Sequence, residues 1–243
     1  MLYRFIRLFV IQPEGEFRIS FFCMPLFYQH TINEGTKLAI WKIEETESFF
    51  LRKVPLQRNI THPHKRLQHL AGRYLLPILF KDFPLEEILI ADTRKPFLPT
   101  EKYHFSISHC GEFAAAIASN TSRVGIDIEL ITPRIQNIAH KFLNELEKNF
   151  FNEDYSAFLE QWNLKDKVYT EYLTLMWSAK EAIYKWYGDG GVDFSENIQL
   201  LKFTDIDHKE EISLPFVFAK EKIISLSVNA KFFNDLVLAW VMS

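Results

Sequence analysis

"VGIDIEL", residues 124–130, sets two acids one residue apart inside a run of branched aliphatics. A β-strand repeats every two residues, so alternate side chains share a face. Val124, Ile126, Ile128 and Leu130 then point into a core, and Asp127 and Glu129 stand side by side on the opposite face. On a face open to water such alternation is ordinary. In a cleft the two carboxylates would repel, and one would take a raised pKa unless a cation sat between them.

Outward from this strand, "YHFSISHC" and "FAAAIAS" read as two strands around a turn at Gly111-Glu112, and with "RVGIDIEL" they make three consecutive antiparallel strands. Upstream, "KLAIWKI" (37–43) is a strand. "HKRLQHLAGRYLLPILF" (64–80) places Leu67, Leu70, Ala71, Tyr74, Leu75 and Ile78 at helical spacing, with Pro77 expected to kink or end the helix early. Downstream, residues 137–158 carry Ile138, Phe142, Leu146 and Phe150 four apart, and "EYLTLMWSAKEAIYKWY" (171–187) is a second long helix. "GDGG" (188–191) ends that helix, since glycine tolerates the left-handed C-terminal conformation. "IISLSV" and "LVLAWVM" follow as strands around Asn234-Asp235.

Each half thus runs strand, long helix, strand pair. The expected fold class is α+β, two similar halves that each pack a long helix on a small, mainly antiparallel sheet. The divisions expected are an N-terminal extension over 1–35, a first half over 36–122 and a second over 123–243, with an interface between the halves. Met24 is an alternative start within the extension, and Glu14, Glu16 and Arg18 break its apolar run where a signal peptide would be continuous.

A chain of 243 residues, 48% apolar and with 23 Phe, can bury a substantial core and is not a disordered chain. Its net charge of −3 gives no general attraction for nucleic acid or anionic membrane. No segment reaches the length of a membrane span. Cys23 and Cys110 form neither a disulfide framework nor metal-ligand spacing, which fits a reducing, cytoplasmic setting.

Two further motifs carry chemistry. In "WSAKEAIYK" (177–185), Trp177, Glu181 and Lys185 lie four apart and share a helix face. The same residues also read as an exposed Glu181–Lys185 ion pair, or as a Ser178–Glu181 capping box. In "FSISHC" (105–110), Ser108 and His109 sit at a strand end without a G-x-S-x-G elbow, so hairpin polarity or phosphate contact fits better than a nucleophile. His62 and His64 lack partners at zinc spacing, and "GDGG" lacks the Lys-Ser/Thr of a phosphate loop.

Taken in order, a basic segment, K-P before a strand, F-S-I-S-H, G-I-D-I-E and W-S-A-K-E-A-x-x-K resemble the 4′-phosphopantetheinyl transferases, of the surfactin-synthetase-activating type. Gly125, Asp127 and Glu129 match the first signature, and Trp177, Ser178, Lys180, Glu181, Ala182 and Lys185 the second. The resemblance covers roughly residues 36–205 and implies a pseudodimer with coenzyme A in the cleft between halves. It implies transfer of the phosphopantetheine arm to a serine of an apo acyl or peptidyl carrier protein, with release of 3′,5′-ADP. Asp127, Glu129 and Glu181 would hold Mg²⁺, with Mn²⁺ as the alternative ion. Glu181 and Lys185 would be catalytic. Lys53, Arg66, Lys95, Ser108, His109 and Lys185 would contact coenzyme A. A monomer is implied, with no nucleic-acid or membrane partner. Arg94 departs from the glycine usual before Lys95-Pro96, and Cys110 stands where a hydroxyl residue is common. The competing readings are a metal-dependent phosphodiesterase or nuclease, and a non-catalytic carrier-binding module. The nuclease reading wants its lysine after one intervening residue past the last acid, on a strand, not four residues on along a helix.

Overall fold

The computed structural model describes residues 6–9, 19–22, 25–56, 59–154, 165–202 and 211–243. Cys23, Met24, Arg58 and the 155–158 end of the expected second-half periodicity lie outside them. In chain order the strands are β1 (Ile6–Phe9), β2 (Ile19–Phe22), β3 (Leu26–Asn33), β4 (Thr36–Lys42), β5 (Leu89–Ile90), β6 (Pro96–Phe97), β7 (His104–Cys110), β8 (Phe113–Ser119) and β9 (Val124–Leu130). They continue as β10 (Ile198–Leu200), β11 (Ile212–Ala219), β12 (Ile223–Phe233) and β13 (Leu236–Met242). The two main sheets run β3-β4-β8-β7 and β10-β11-β12-β13-β9, every pairing antiparallel. β1 pairs with β2, and β5 with β6, as separate two-stranded ribbons.

The two-cycle reading is met in the strand order. β4 leads to the helix Pro63–Leu79, the chain returns as the β7–β8 hairpin, and β4 pairs with β8. β9 leads on to the helix Lys165–Tyr187, the chain returns to β12–β13, and β9 pairs with β13. The expected triplet of consecutive antiparallel strands is therefore corrected: β9 leaves β8 and joins the second sheet. Residues 26–33, expected within an extension, form β3 and pair with β4.

Each helix packs its apolar stripe on its own sheet. Leu70, Ala71, Leu75 and Leu76 meet Ala114, Ala116 and Ala118 in one core. Leu175, Met176, Ala179 and Ile183 meet Val228, Ala230 and Ala239 in another. A third core lies between the sheets, where Leu38, Ile40 and Ile117 face Ile126, Ile128 and Trp240. β7 lies beside β9 across this boundary and closes its open edge with side chains. The Ile126 amide donates to Ser106 Oγ at 3.2 Å and the Leu130 amide to Cys110 Sγ at 3.3 Å. An edge strand whose amides are met by side chains needs no further ladder.

Two local expectations are corrected. The helix Pro63–Leu79 runs two residues beyond Pro77, because a proline in the last turn forfeits little of the ladder. Residues 137–154 are not one helix. A 3₁₀ stretch, Pro133–Lys141, precedes the helix Glu145–Asp154, with Phe142 fully buried between them and Leu146 69% exposed.

Gly125 sets the distance between β9 and the long helix. A Cβ there would overlap the Ala182 carbonyl oxygen and stand 2.7 Å from the Trp186 amide nitrogen. Both are backbone atoms, so neither can rotate away. Gly125→Ala is expected to lower stability by about 3 kcal/mol, the upper end of ordinary overpacking. A urea midpoint equal to that of the parent protein would contradict this backbone contact.

Candidate functional site

β9 turns Gly125, Asp127 and Glu129 toward the helix Lys165–Tyr187, so the acids face protein and not water. Asp127 is only 2% exposed. Its Oδ1 accepts from Ser108 Oγ at 2.8 Å and from Lys185 Nζ at 2.5 Å, and its Oδ2 accepts from Ser178 Oγ at 2.8 Å. Lys185 Nζ also donates to Ser108 Oγ at 2.9 Å. Ser178 and Lys185 are two turns apart on one helix face, and Ser108 comes from β7 in the first half. Ser178 sits mid-helix, which removes the capping-box reading, and Lys185 pairs with Asp127, which removes the exposed-pair reading. Burial opposes the Lys185 charge, but Asp127 and Glu181 outweigh it and hold its pKa above the ordinary lysine value.

Glu129 accepts from Trp177 Nε1 at 3.2 Å. Burial, and then the Asp127 charge, raise its pKa. Glu181 is pushed up to about 7, chiefly by burial, with Lys185 opposing and Asp127 and Glu129 adding to the rise. Among the described residues no hydrogen bond or ion pair holds the Glu181 carboxylate. This is the crowding of carboxylates that the strand pattern raised as one alternative. Among the described residues, no three His, Cys, Asp or Glu side chains stand together as a ligand set. Glu181 is near enough to feel the charges of Asp127 and Glu129, and the Lys185 ammonium stands on Asp127. The chemistry of the three acids still fits a hard cation: carboxylate oxygens only, with two raised pKa values that a cation would relieve.

The expected coenzyme contacts are dispersed. Ser108 belongs to the Asp127 cluster. His109 follows it, and desolvation by the surrounding protein, then the Lys185 charge, lower its pKa. Arg66 is engaged elsewhere: Nε and Nη2 each donate to the Glu47 carboxylate at 2.8 Å, and Nη1 donates to the Ile60 carbonyl at 2.7 Å. It ties the start of its helix to Glu47–Leu51 and makes no contact with the cluster. Lys53 is exposed, 5.2 Å from the Phe49 ring centre and 5.7 Å from that of Tyr74. Lys95 Nζ donates to the Trp186 carbonyl at 3.3 Å. It lines a cleft of about 730 Å³ between the halves with Phe97, Tyr103, His104, Arg123 and Asp189. It also lines a smaller one of about 210 Å³ with Ser106, Tyr184 and Lys185.

Sequence reasoning named Ser178 and Lys180 as signature matches, and Ser178 as a candidate cap, without a site role, and gave Ser106 none. Lys180 is fully buried and donates to Glu147 Oε2 at 2.7 Å and to the Phe142 and Phe194 carbonyls at 2.7 and 2.9 Å. Glu147 Oε1 accepts from the Leu200 amide at 2.9 Å. Neighbouring residues on a helix differ by about 100°, so Lys180 points away from β9 while Glu181 points toward it. The first braces the helix and the second faces the acids. Cys110, its thiol pushed up to about 12 by burial and then by Glu129, is unreactive as a nucleophile. The signal for Ser106 and Cys110 was present: S-x-S-x-C puts three polar groups on one face of an otherwise apolar strand.

Residues 123–241, from the start of β9 almost to the end of β13, match the family model of the 4′-phosphopantetheinyl transferase superfamily. The motif resemblance is therefore a family match over the second half of the chain. Among individual proteins, the chain is 32% identical over 126 residues to enterobactin synthase component D of Salmonella typhi, covering 51% of this chain and 49% of that protein. It is 41% identical over 71 residues to the 4′-phosphopantetheinyl transferase AcpT of Escherichia coli K12, covering 29% of this chain and 35% of that protein. The chain thus spans about half the length of the first relative and about a third of the second.

Breaking a buried ion pair by removing one partner costs about 3–5 kcal/mol, while replacing both partners by apolar groups can be neutral. Lys180→Met should therefore destabilise the protein by that amount, and Lys180→Met with Glu147→Leu should recover most of it. Equal denaturation midpoints for the single and double variants would show that the pair does not act as a unit.

Proposed function

We propose that the protein transfers the 4′-phosphopantetheine arm of coenzyme A to a serine of an apo acyl or peptidyl carrier protein, releasing 3′,5′-ADP. The observation that carries this reading is the face-to-face setting of the two signatures. Asp127 and Glu129 on β9 meet Trp177, Ser178, Glu181 and Lys185 on one helix, beside a cleft between the halves. The family match over residues 123–241 and the name of the Escherichia coli relative, a 4′-phosphopantetheinyl transferase, support it.

In this reading Asp127, Glu129 and Glu181 would hold Mg²⁺, or Mn²⁺ in its place, which would supply neutralising charge for the pyrophosphate of coenzyme A. The chain's own residues do the rest. Lys185, already held among oxygen atoms of Asp127 and Ser108, places its ammonium against the pyrophosphate and stabilises the departing 3′,5′-ADP. Ser108 and His109 bind phosphate from the first half. The carrier serine oxygen forms a bond to the phosphorus of the pantetheine phosphate, and the bond to the bridging oxygen breaks. The serine proton passes to Glu181, directly or through a water beside it. One chain supplies both sides of the cleft, which supports action as a monomer, in the cytoplasm where coenzyme A is found. A helical lysine four residues past the last acid speaks against the nuclease alternative, and the complete acid and lysine set against a non-catalytic module.

Intact-mass spectrometry of apo carriers of fatty-acid, polyketide and peptide type, incubated with coenzyme A and Mg²⁺, tests the reading. At least one carrier should gain the mass of a single phosphopantetheine. Lys185→Ala should slow that gain by about 100-fold or more, the usual cost of removing one preorganised charge from a transition state. No modification of any carrier, or full activity of the variant, would overturn the proposal.

A further inference from the structure

The C-terminal end of the helix Lys165–Tyr187 is held by side chains from the other half of the molecule. The last carbonyls of a helix have no partner within it. Here the Trp186 carbonyl accepts from Lys95 Nζ at 3.3 Å, and the Gly188 carbonyl from Thr93 Oγ1 at 2.9 Å. A cation is favoured at this end of the helix dipole. Gly188, at φ +82°, fits the contact in two ways: it takes the left-handed conformation, and a Cβ there would stand 2.5 Å from Lys95 Nζ and 2.6 Å from its Cδ. On the second half's side, Lys220 Nζ donates to the Gly190 carbonyl at 2.8 Å and lies 5.0 Å from the Tyr187 ring centre.

The loop that presents Lys95 is tightly turned. The Ala91 amide donates to the Lys95 carbonyl at 2.9 Å and the Arg94 amide to the Ala91 carbonyl at 2.8 Å. Arg94 has φ +67°, a conformation that costs a residue with a Cβ about 1–2 kcal/mol. The turn is thus kept although Arg94 stands where a glycine was expected. Lys95 is a desolvated contact and not a free surface cation: burial, and then the Arg123 charge, lower its pKa to about 8.

We infer that Lys95 and Thr93 form a latch that positions the last turn of the long helix, and with it Lys185, for the transfer reaction. Lys185 immediately precedes Trp186, whose amide lies against Gly125 of β9. A slide or rotation of this turn moves the Lys185 ammonium relative to Asp127 and Ser108. The Lys95 ammonium is then a positioning group for the end of the helix. The inference deepens the transferase reading and rests on it.

Lys95→Met keeps most of the side-chain length and removes the donor, and Thr93→Val does the same for the second contact. In full-length protein each should lower kcat for carrier modification about tenfold, part of the hundredfold loss that a misplacement of about 1 Å can cause. KM and the calorimetric Kd for coenzyme A should stay within about twofold, since uniform binding is untouched. Lys95→Arg should restore part of kcat. Hydrogen exchange gives a readout independent of activity: amides of residues 186–190 should exchange faster in both variants. A raised Kd with unchanged exchange would make Lys95 a coenzyme contact and overturn the latch. Unchanged exchange in both variants would overturn it as well. Should the parent protein modify no carrier, the transferase reading falls, while the exchange comparison still decides whether the latch exists.

Discussion

The Asp127 carboxylate is the constraint on which the rest of the arrangement depends. A charge at 2% exposure is tolerable only if its oxygens are fully engaged. Its three partners come from two elements outside its own strand: Ser108 from β7, and Ser178 and Lys185 from the long helix. To satisfy this one group, the chain must bring both halves together and set the helix in one rotation about its axis. Gly125 then lets the helix approach, Lys180 braces its far face against Glu147, and the Lys95 loop holds its end. Each of these residues keeps the Lys185 ammonium in its place.

The same strand, helix and hairpin order occurs twice, yet acids appear in one copy. β4 holds the place in the first sheet that β9 holds in the second: Ala39 pairs with Ala116 as Asp127 pairs with Ala239. Ala39 and Trp41 pack into the apolar core under the first helix, where Asp127 and Glu129 face the second. In addition, β3 pairs along β4, whereas the corresponding edge of β9 is met by the serine face of β7. The first half therefore contributes a wall and a loop, and the second contributes the charged face.

Much of this was legible in the sequence because period and spacing are local. The alternation of "VGIDIEL" gave the correct two faces, and the i, i+4, i+8 spacing of Trp177, Glu181 and Lys185 put all three on the side of the helix that meets β9. What was not legible is tertiary. Alternation does not say whether the polar face meets water or a helix, and here it meets a helix. Nor does a hairpin pattern say when the next strand changes sheets, and β9 reads as a neighbour of β8 although it pairs with β13. Arg66 reads as a free cation in the chain, and only the fold reveals that Glu47 takes its Nε–Nη2 edge and the Ile60 carbonyl its Nη1. Phe142 broke the expected helix because it is buried between a 3₁₀ stretch and a short helix, a choice made by the core and not by local propensity.

We propose Asp127, Glu129 and Glu181, with Lys185 partly neutralising them, as the oxygen donors for one divalent ion beside coenzyme A. Titration of Mn²⁺ into the protein with coenzyme A present, followed by the electron paramagnetic resonance signal of the free ion, measures this directly. The account predicts one ion bound per chain in the parent protein and loss of that binding in Asp127→Asn, a variant that keeps the shape of the side chain. Equal binding by the two proteins, or none by the parent, would contradict it.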